Sequence, residues 1–210
     1  MKKPQTALEA RKRRAMQQEI VDTARGLFSV HGYDETTVDK IAEAIGMSQR
    51  SVFRYFRNKE EIVLGKFDLV AEEMLNALRE RPVQEPVWES LRRMFDRLVV
   101  VANAPNGPGV AKSIHRIVFE TPMLFAGYLQ RLQQMQEPAV AILIERAAAL
   151  GAPYGPNDPA PRAFVAAAVG CLVAAQHSWL ANGETGSYAD NIDRAMETIR
   201  SIGENEAVDR

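Results

Sequence analysis

The sequence holds one cysteine, three histidines and two tryptophans in 210 residues. The single thiol, Cys171, excludes an intramolecular disulfide framework and any multi-cysteine zinc site. That usage suits a reducing, cytoplasmic setting. His31, His115 and His177 lie far apart and show no metal-ligand spacing, so no metal site is expected. Long apolar runs are also missing. The longest uncharged one, residues 163–175, has 13 residues, whereas a membrane-spanning helix needs about 17–25, so no membrane partner is expected. Residues 1–14 are charged and lack an apolar core, which does not fit a secretory signal. No His-Glu-x-x-His, Gly-x-Ser-x-Gly or Walker A pattern occurs, and no cofactor is implied. The adjacent pairs Glu60-Glu61 and Glu72-Glu73 do not face each other on a helix. The chain therefore does not read as an enzyme. Between Pro4 and Pro82 there is no proline for 77 residues.

What remains is ample material for a folded core, with 46% hydrophobic and 25% charged residues. The net charge is -1, which on its face argues against nucleic acid. Divided by region it reads otherwise. Residues 1–60 hold twelve basic and eight acidic side chains, and residues 61–210 hold fourteen and nineteen. The first fourteen residues alone carry Lys2, Lys3, Arg11, Lys12, Arg13 and Arg14 against Glu9. Such a stretch fits a solvated, disordered arm or an arm that attracts phosphates.

Helical periodicity runs through the segments between prolines, with no sustained alternation. The expected helices cover about 14–31, 37–45, 48–56, 58–79, 87–102, 110–119, 123–150, 162–181 and 188–202. Pro138 should kink or interrupt the longest. The fold class is all-α, with about nine helices.

The informative stretch runs from Thr36 to Lys59, TTVDKIAEAIGMSQRSVFRYFRNK. Thr37 suits an N-cap, Val38, Ile41, Ala42 and Ile45 form an inner stripe, and Gly46 ends the helix. The next helix begins within three residues, at Ser48. Two short helices across such a turn form a helix-turn-helix. Val52, Phe53 and Phe56 read as the inner face of the second helix, and Gln49, Arg50, Ser51, Arg54 and Tyr55 as its outer face. No acid lies between Ser48 and Asn58, whereas Arg50, Arg54, Arg57 and Lys59 are basic. A helix with this face fits the major groove, where Arg can bond guanine and Gln adenine. An αα-hairpin that only packs would mix both signs on its outer face.

The segment from Ile20 to Phe67 resembles the N-terminal domain of the TetR family of bacterial transcriptional regulators. The resemblance rests on A-x-x-L-F at residues 24–28, H-G-Y and T-T-V within 31–38, I-A-E-A-I-G-M-S at 41–48 and V-F-R-Y-F-R-N-K-E-E-I-V at 52–63. It implies an N-terminal three-helix reading domain, residues 1–60, and a C-terminal helical ligand-binding and dimerisation domain, residues 61–210. It implies DNA contacts by Thr37, Ser48, Gln49, Arg50, Ser51, Arg54, Tyr55 and Lys59. Of these, Gln49, Arg50 and Ser51 would read bases, whereas Thr37, Tyr55 and Lys59 would bind phosphates. The partners implied are a double-stranded DNA operator, a small-molecule effector and a second copy of the chain in a homodimer. Repression, with DNA released when a small molecule binds, is what the resemblance implies by default, and the aromatic, Met-containing and charge-poor candidate residues suit a largely apolar ligand.

Candidate ligand contacts are Met94, Phe95, Ile114, His115, Phe119, Phe125, Tyr128 and Trp179, although each residue reads first as ordinary core. His115 and His177 read as core histidines, and Cys171 as an inert thiol. The last two helices resemble the TetR family's dimerisation pair. The Ala-rich stretch at 163–175, with Gly170, allows close helix approach, internal or between copies. Because a two-fold operator needs a two-fold reader, a dimer interface is expected at about 162–202, with Trp179 assigned either there or to the ligand site. A constitutive DNA-binding module without an effector is the alternative.

Overall fold

The computed structural model describes residues 7–102 and 114–208. Lys2, Lys3, Pro105, Pro108 and the start of the helix expected at 110–119 lie outside them. The described residues form ten helices and no strand: α1 Ala7–His31, α2 Val38–Ala44, α3 Gln49–Val52, α4 Lys59–Arg79, α5 Val87–Met94, α6 Asp96–Ala102, α7 Ile114–Glu120, α8 Pro122–Ala149, α9 Ala160–Ala181 and α10 Tyr188–Val208. The all-α expectation holds.

Four details differ from the sequence reading. First, α1 starts at Ala7, so the basic residues 11–14 are helical and not a disordered arm. Ala, Leu, Glu, Lys and Arg in residues 7–14 are all strong helix formers. Second, α3 has only four helical residues, and residues 53–55 follow as turns. Third, the helix expected at 87–102 divides at Phe95. There the Phe95 N–H donates to Arg92 O at 3.1 Å and the Leu98 N–H to Phe95 O at 2.9 Å. These short-range bonds are a tightened turn. Fourth, α8 continues through Pro138 without interruption. Buried Met135, Ala139, Val140, Ile142 and Leu143 flank the proline, and their packing offsets the backbone bond it removes.

The chain divides into two compact units, Met1–Leu69 with Pro105–Leu129, and Val70–Ala104 with Gln130–Arg210. In the first, α1 packs on α2 and α7, and α2 on α3. Ile20, Val21, Ala24 and Phe28 of α1 are buried, as are Ile41 and Ala42 of α2 and Val52 of α3. Gly65 permits a close approach in α4, because a Cβ there would lie 2.7 Å from the Phe56 ring and 3.3 Å from Val21.

In the second unit, α9 lies on α5 and α10, and α10 also meets α6. By length and composition α9 could cross a membrane, but Val165, Ala168, Leu172, Ala175 and Trp179 are buried in this packing. Arg146 of α8 is also buried. Its guanidinium donates to Leu78 O at 3.4 Å, Arg81 O at 3.1 Å, Pro82 O at 2.9 Å, Glu85 O at 3.2 Å and Ser90 Oγ at 2.9 Å. It thereby satisfies Arg81 O and Glu85 O, which have no backbone donor among the described residues, and adds a second bond to Leu78 O and Pro82 O, which already accept the Arg81 and Glu85 N–H groups. Ser90 Oγ in turn donates to Glu85 at 2.7 Å, and Arg81 Nε donates to the same carboxylate at 2.8 Å.

Candidate nucleic-acid interface

The first unit builds one face from short, well-capped elements. The Thr37 hydroxyl accepts the Lys40 N–H at 3.3 Å and opens α2. At the other end, the Met47 N–H donates to Ala42 O at 2.8 Å and the Gly46 N–H to Glu43 O at 3.0 Å. This pair of bonds closes α2 with a left-handed residue just past its C-cap Ile45, and Gly46 has φ +66°. Ser48 then caps α3. Its hydroxyl accepts the Ser51 N–H at 3.2 Å and lies 2.9 Å from the Ser51 hydroxyl.

This geometry turns Gln49, Arg50 and Arg54 outward. Ser51 and Tyr55 are half-buried beside them. One core expectation fails: Phe53 is 43% exposed, whereas Val52 is 0% and Phe56 6%. Because α3 ends at Val52, Phe53 leaves the buried stripe. The sequence reading placed Arg13 only in the basic arm, as one of several phosphate-attracting groups. Its guanidinium donates to Arg54 O at 3.2 Å and sits 5.3 Å from the Tyr55 ring centre.

The opening of α4 is more occupied than its motif suggests. Asn58 Oδ1 accepts the Glu61 N–H at 2.8 Å, and the Glu61 carboxylate accepts the Arg57 N–H at 2.8 Å. Lys59 Nζ donates to Tyr33 O at 2.8 Å and Asp34 O at 3.5 Å, and lies 4.0 Å over the Tyr33 ring. The Tyr33 hydroxyl donates to Glu60 at 3.1 Å. Burial, then the Glu60 charge, pushes this phenol above its ordinary range. Lys59 therefore already braces the loop that precedes α2.

Comparison with known proteins matches this arrangement. The model described as bacterial regulatory proteins of the tetR family matches residues 20–65, and the MftR C-terminal domain model matches residues 85–202, more than half of the chain. The chain belongs to the TetR family. It is similar to the HTH-type transcriptional regulator TcmR of Streptomyces glaucescens, 31% identical over 92% of this chain and 86% of that one. It is also similar to the putative mycofactocin biosynthesis transcriptional regulator MftR of Mycobacterium tuberculosis, 22% identical over 93% and 95% of the two chains. Among solved structures, FadR from Bacillus subtilis superposes with a TM-score of 0.54 at 18% identity, covering 86% of this chain and 95% of that one. A TetR-family chain is a DNA-binding transcription regulator and not an enzyme.

The eight residues expected at a TetR-family ligand site fall in both units. Ile114, His115, Phe119, Phe125 and Tyr128 belong to the first. Two of them meet Phe67, which sequence reading missed: Phe67 lies 4.6 Å from the Tyr128 ring and 5.6 Å, edge-on, from the His115 ring. Phe119 meets Phe125 at 4.9 Å and Tyr128 at 5.8 Å. Burial, and secondarily the Lys66 charge, lowers the His115 pKa to about 3. Burial is also the main reason that the Lys66 pKa falls to about 8.

Met94, Phe95 and Trp179 belong to the second unit. Met94 and Phe95 are fully buried, and Trp179 packs 5.0 Å from the Tyr188 ring. His177, expected in the core, is exposed. It lies two residues before buried Trp179, which places it on the opposite side of α9. Cys171 is buried as expected; its thiol donates to Ala195 O at 3.4 Å, and burial pushes its pKa up.

Two clefts accompany these groups, each of about 460 Å³. One, in the first unit, is lined by Phe28, His31, Gly32, Tyr33, Asp34, Glu35, Ile117, Glu120 and Thr121. The other, in the second unit, is lined by Trp88, Ala160, Ala163, Phe164, Ala167, Ile199 and Arg200. None of the eight candidate ligand residues lines either cleft.

Proposed function

We propose that the chain is a repressor that binds a palindromic operator as a homodimer and is released by a small, largely apolar effector. The observation that carries the DNA part is the exposed, acid-free face formed by Gln49 and Arg50 on the helix that Ser48 caps and by Arg54 in the turn that follows it. Gln49, Arg50 and Ser51 read base edges in the major groove. Thr37 and Ser48 approach phosphates at the openings of their helices. Tyr55 and Lys59 bind the flanking backbone, with Lys59 using the donor capacity its two carbonyl contacts leave. Arg54 reads a base or binds a phosphate. Residues 1–60 act as the reader and residues 61–210 as the sensor and dimerisation region, in the bacterial cytoplasm.

A two-fold operator requires a two-fold protein, with heads roughly 34–36 Å apart. The groove of Ala160, Ala163, Ala167 and Trp88 supports a second copy there, since Phe164 and Ile199 beside it are 39% and 46% exposed. The Phe67, Phe119, Phe125 and Tyr128 rings support an apolar effector. The FadR structure named above holds stearoyl-CoA, and a long acyl chain is one ligand class to try. A ligand releases DNA only through a real difference in affinity between the two conformations.

The constitutive alternative draws on one observation, that Met94, Phe95 and Tyr128 are sealed in the core. Operator selection from random duplexes, followed by effector titration with fatty acyl-CoA thioesters, separates the readings. A selected palindrome bound by a dimer and released by ligand is expected. Selection of no sequence would overturn the DNA reading, and binding unaffected by every ligand class would favour the constitutive one.

A further inference from the structure

We infer that Arg13 is a positioning residue for DNA reading: it fixes the trailing end of the reading helix, and so the angle at which Gln49 and Arg50 meet base edges. The inference rests on the DNA-reading role proposed above. It begins with the length of α3, four helical residues. One helical turn has no stability of its own in water, because nucleation costs more than a single bond returns. Its leading end is held by the Ser48 cap. Its trailing end passes through turns at residues 53–55, and Phe53 adds little packing there because it is exposed.

Buried Val52 and Phe56 hold the inner side of this end, and Arg13 adds a hold on its outer side. One Nη donates to Arg54 O at 3.2 Å, and the guanidinium carbon Cζ lies 5.3 Å from the Tyr55 ring centre. Both contacts reach the residues immediately after α3. A cation beside exposed C-terminal carbonyls is also favoured by the local dipole. Arginine suits the task because its planar fork can bond a carbonyl while lying against an aromatic ring. Lysine, a point charge on a flexible stem, cannot do both in one geometry. The anchor is α1, whose buried Ile20, Val21, Ala24 and Phe28 fix it in the same unit. Part of the basic N-terminal stretch thus acts on the protein itself. Arg11 and Lys12, exposed on the same helix, keep the role of general phosphate attraction.

The test compares Arg13→Ala, Arg13→Lys and the control Lys12→Ala in the full chain. Binding to the selected operator and to random duplex is measured across salt concentrations, with thermal melting as a check on folding. Arg13→Ala and Arg13→Lys should each reduce the operator-to-random affinity ratio by about fivefold, the scale of one exposed cation–π contact with its bond. Random-duplex binding of Arg13→Lys and its salt slope should match wild type, and Lys12→Ala should keep the operator ratio. If Arg13→Lys restores the ratio, or if Arg13→Ala and Lys12→Ala both lower the salt slope by about one with an unchanged ratio, Arg13 is a phosphate contact and the inference fails. Unchanged binding in both Arg13 variants also overturns it. Failure of wild type to discriminate any operator is a separate result, against the DNA-reading role itself.

Discussion

The two compact units use arginine in opposite ways. In the second, Arg146 is buried and all five of its described bonds go to neighbouring oxygens. In the first, Arg50 and Arg54 extend into solvent and their side chains have no ion pair among the described residues. A buried guanidinium can be tolerated only where carbonyls and hydroxyls replace its water. An exposed one retains its donors for a ligand that brings its own charge. The same residue type therefore marks a structural joint in one place and a reading surface in the other. Neighbours and burial, not the residue itself, make the difference.

The largest expected effect tests the joint. Arg146→Ala should destabilise the protein by about 2–4 kcal/mol, because it leaves Arg81 O and Glu85 O without their donor and opens the space the side chain fills. Urea unfolding would measure this, and a loss under about 0.5 kcal/mol would mean that water replaces the guanidinium freely. On the reading surface the expectation is reversed. Arg50→Ala should leave stability unchanged and cost about 1–3 kcal/mol of base discrimination. Lys59→Ala should weaken binding to all duplexes and flatten the salt slope by about one. Because Lys59 also braces Tyr33 and Asp34, its variant should melt slightly lower, a difference absent from Arg50→Ala. Equal, sequence-independent losses for both would contradict base reading by Arg50.

Gly65→Ala probes the close packing beneath that surface. The new methyl would press on Phe56 and should cost about 1–3 kcal/mol through overpacking. Calorimetry of Gly65→Ala beside the double variant with Phe56→Leu would check it. Relief by the second change is expected, and simple additivity would place the strain elsewhere.

The smallest effects are pH-dependent, and each unit has its own window. His115 in the first unit has a folded pKa of about 3, below its ordinary 6.5. The unfolded chain binds its proton first, so this group costs stability as pH falls from 6.5 toward 3. Glu85 in the second unit is lowered from 4.5 to about 2, chiefly by its bond from Arg81. Its contribution is present above 4.5 and is lost as pH falls toward 2. Stability at pH 5.5 against pH 7 should therefore report His115 and not Glu85. His115→Gln should flatten that interval, and an unchanged slope would assign it to another group.

How much of this was legible depended on the range of the interactions involved. Thr37, Ser48 and Asn58 cap within three residues of themselves, so their roles follow from local pattern. Gly46 is likewise dictated by the turn it closes. Phe53 was misassigned because periodicity extends a helix past the point where it stops. His177 was misassigned because apolar sequence neighbours are not spatial neighbours on α9. Arg13 and Arg146 act over 41 and 56–68 residues of sequence, and no local pattern distinguishes them from other arginines. The ligand candidates were chosen as apolar residues in the middle of the chain, and composition alone could not divide them between two units.

By itself, the sequence determined the helical class, the helix-turn-helix and its charge. Hydrophobic period, capping residues and a basic outer face are written at short range, and each has a direct physical consequence. Only the tertiary structure decided which cations serve the fold and which serve the surface. Burial and hydrogen-bond partners are properties of what the chain brings together, and those partners lie tens of residues away.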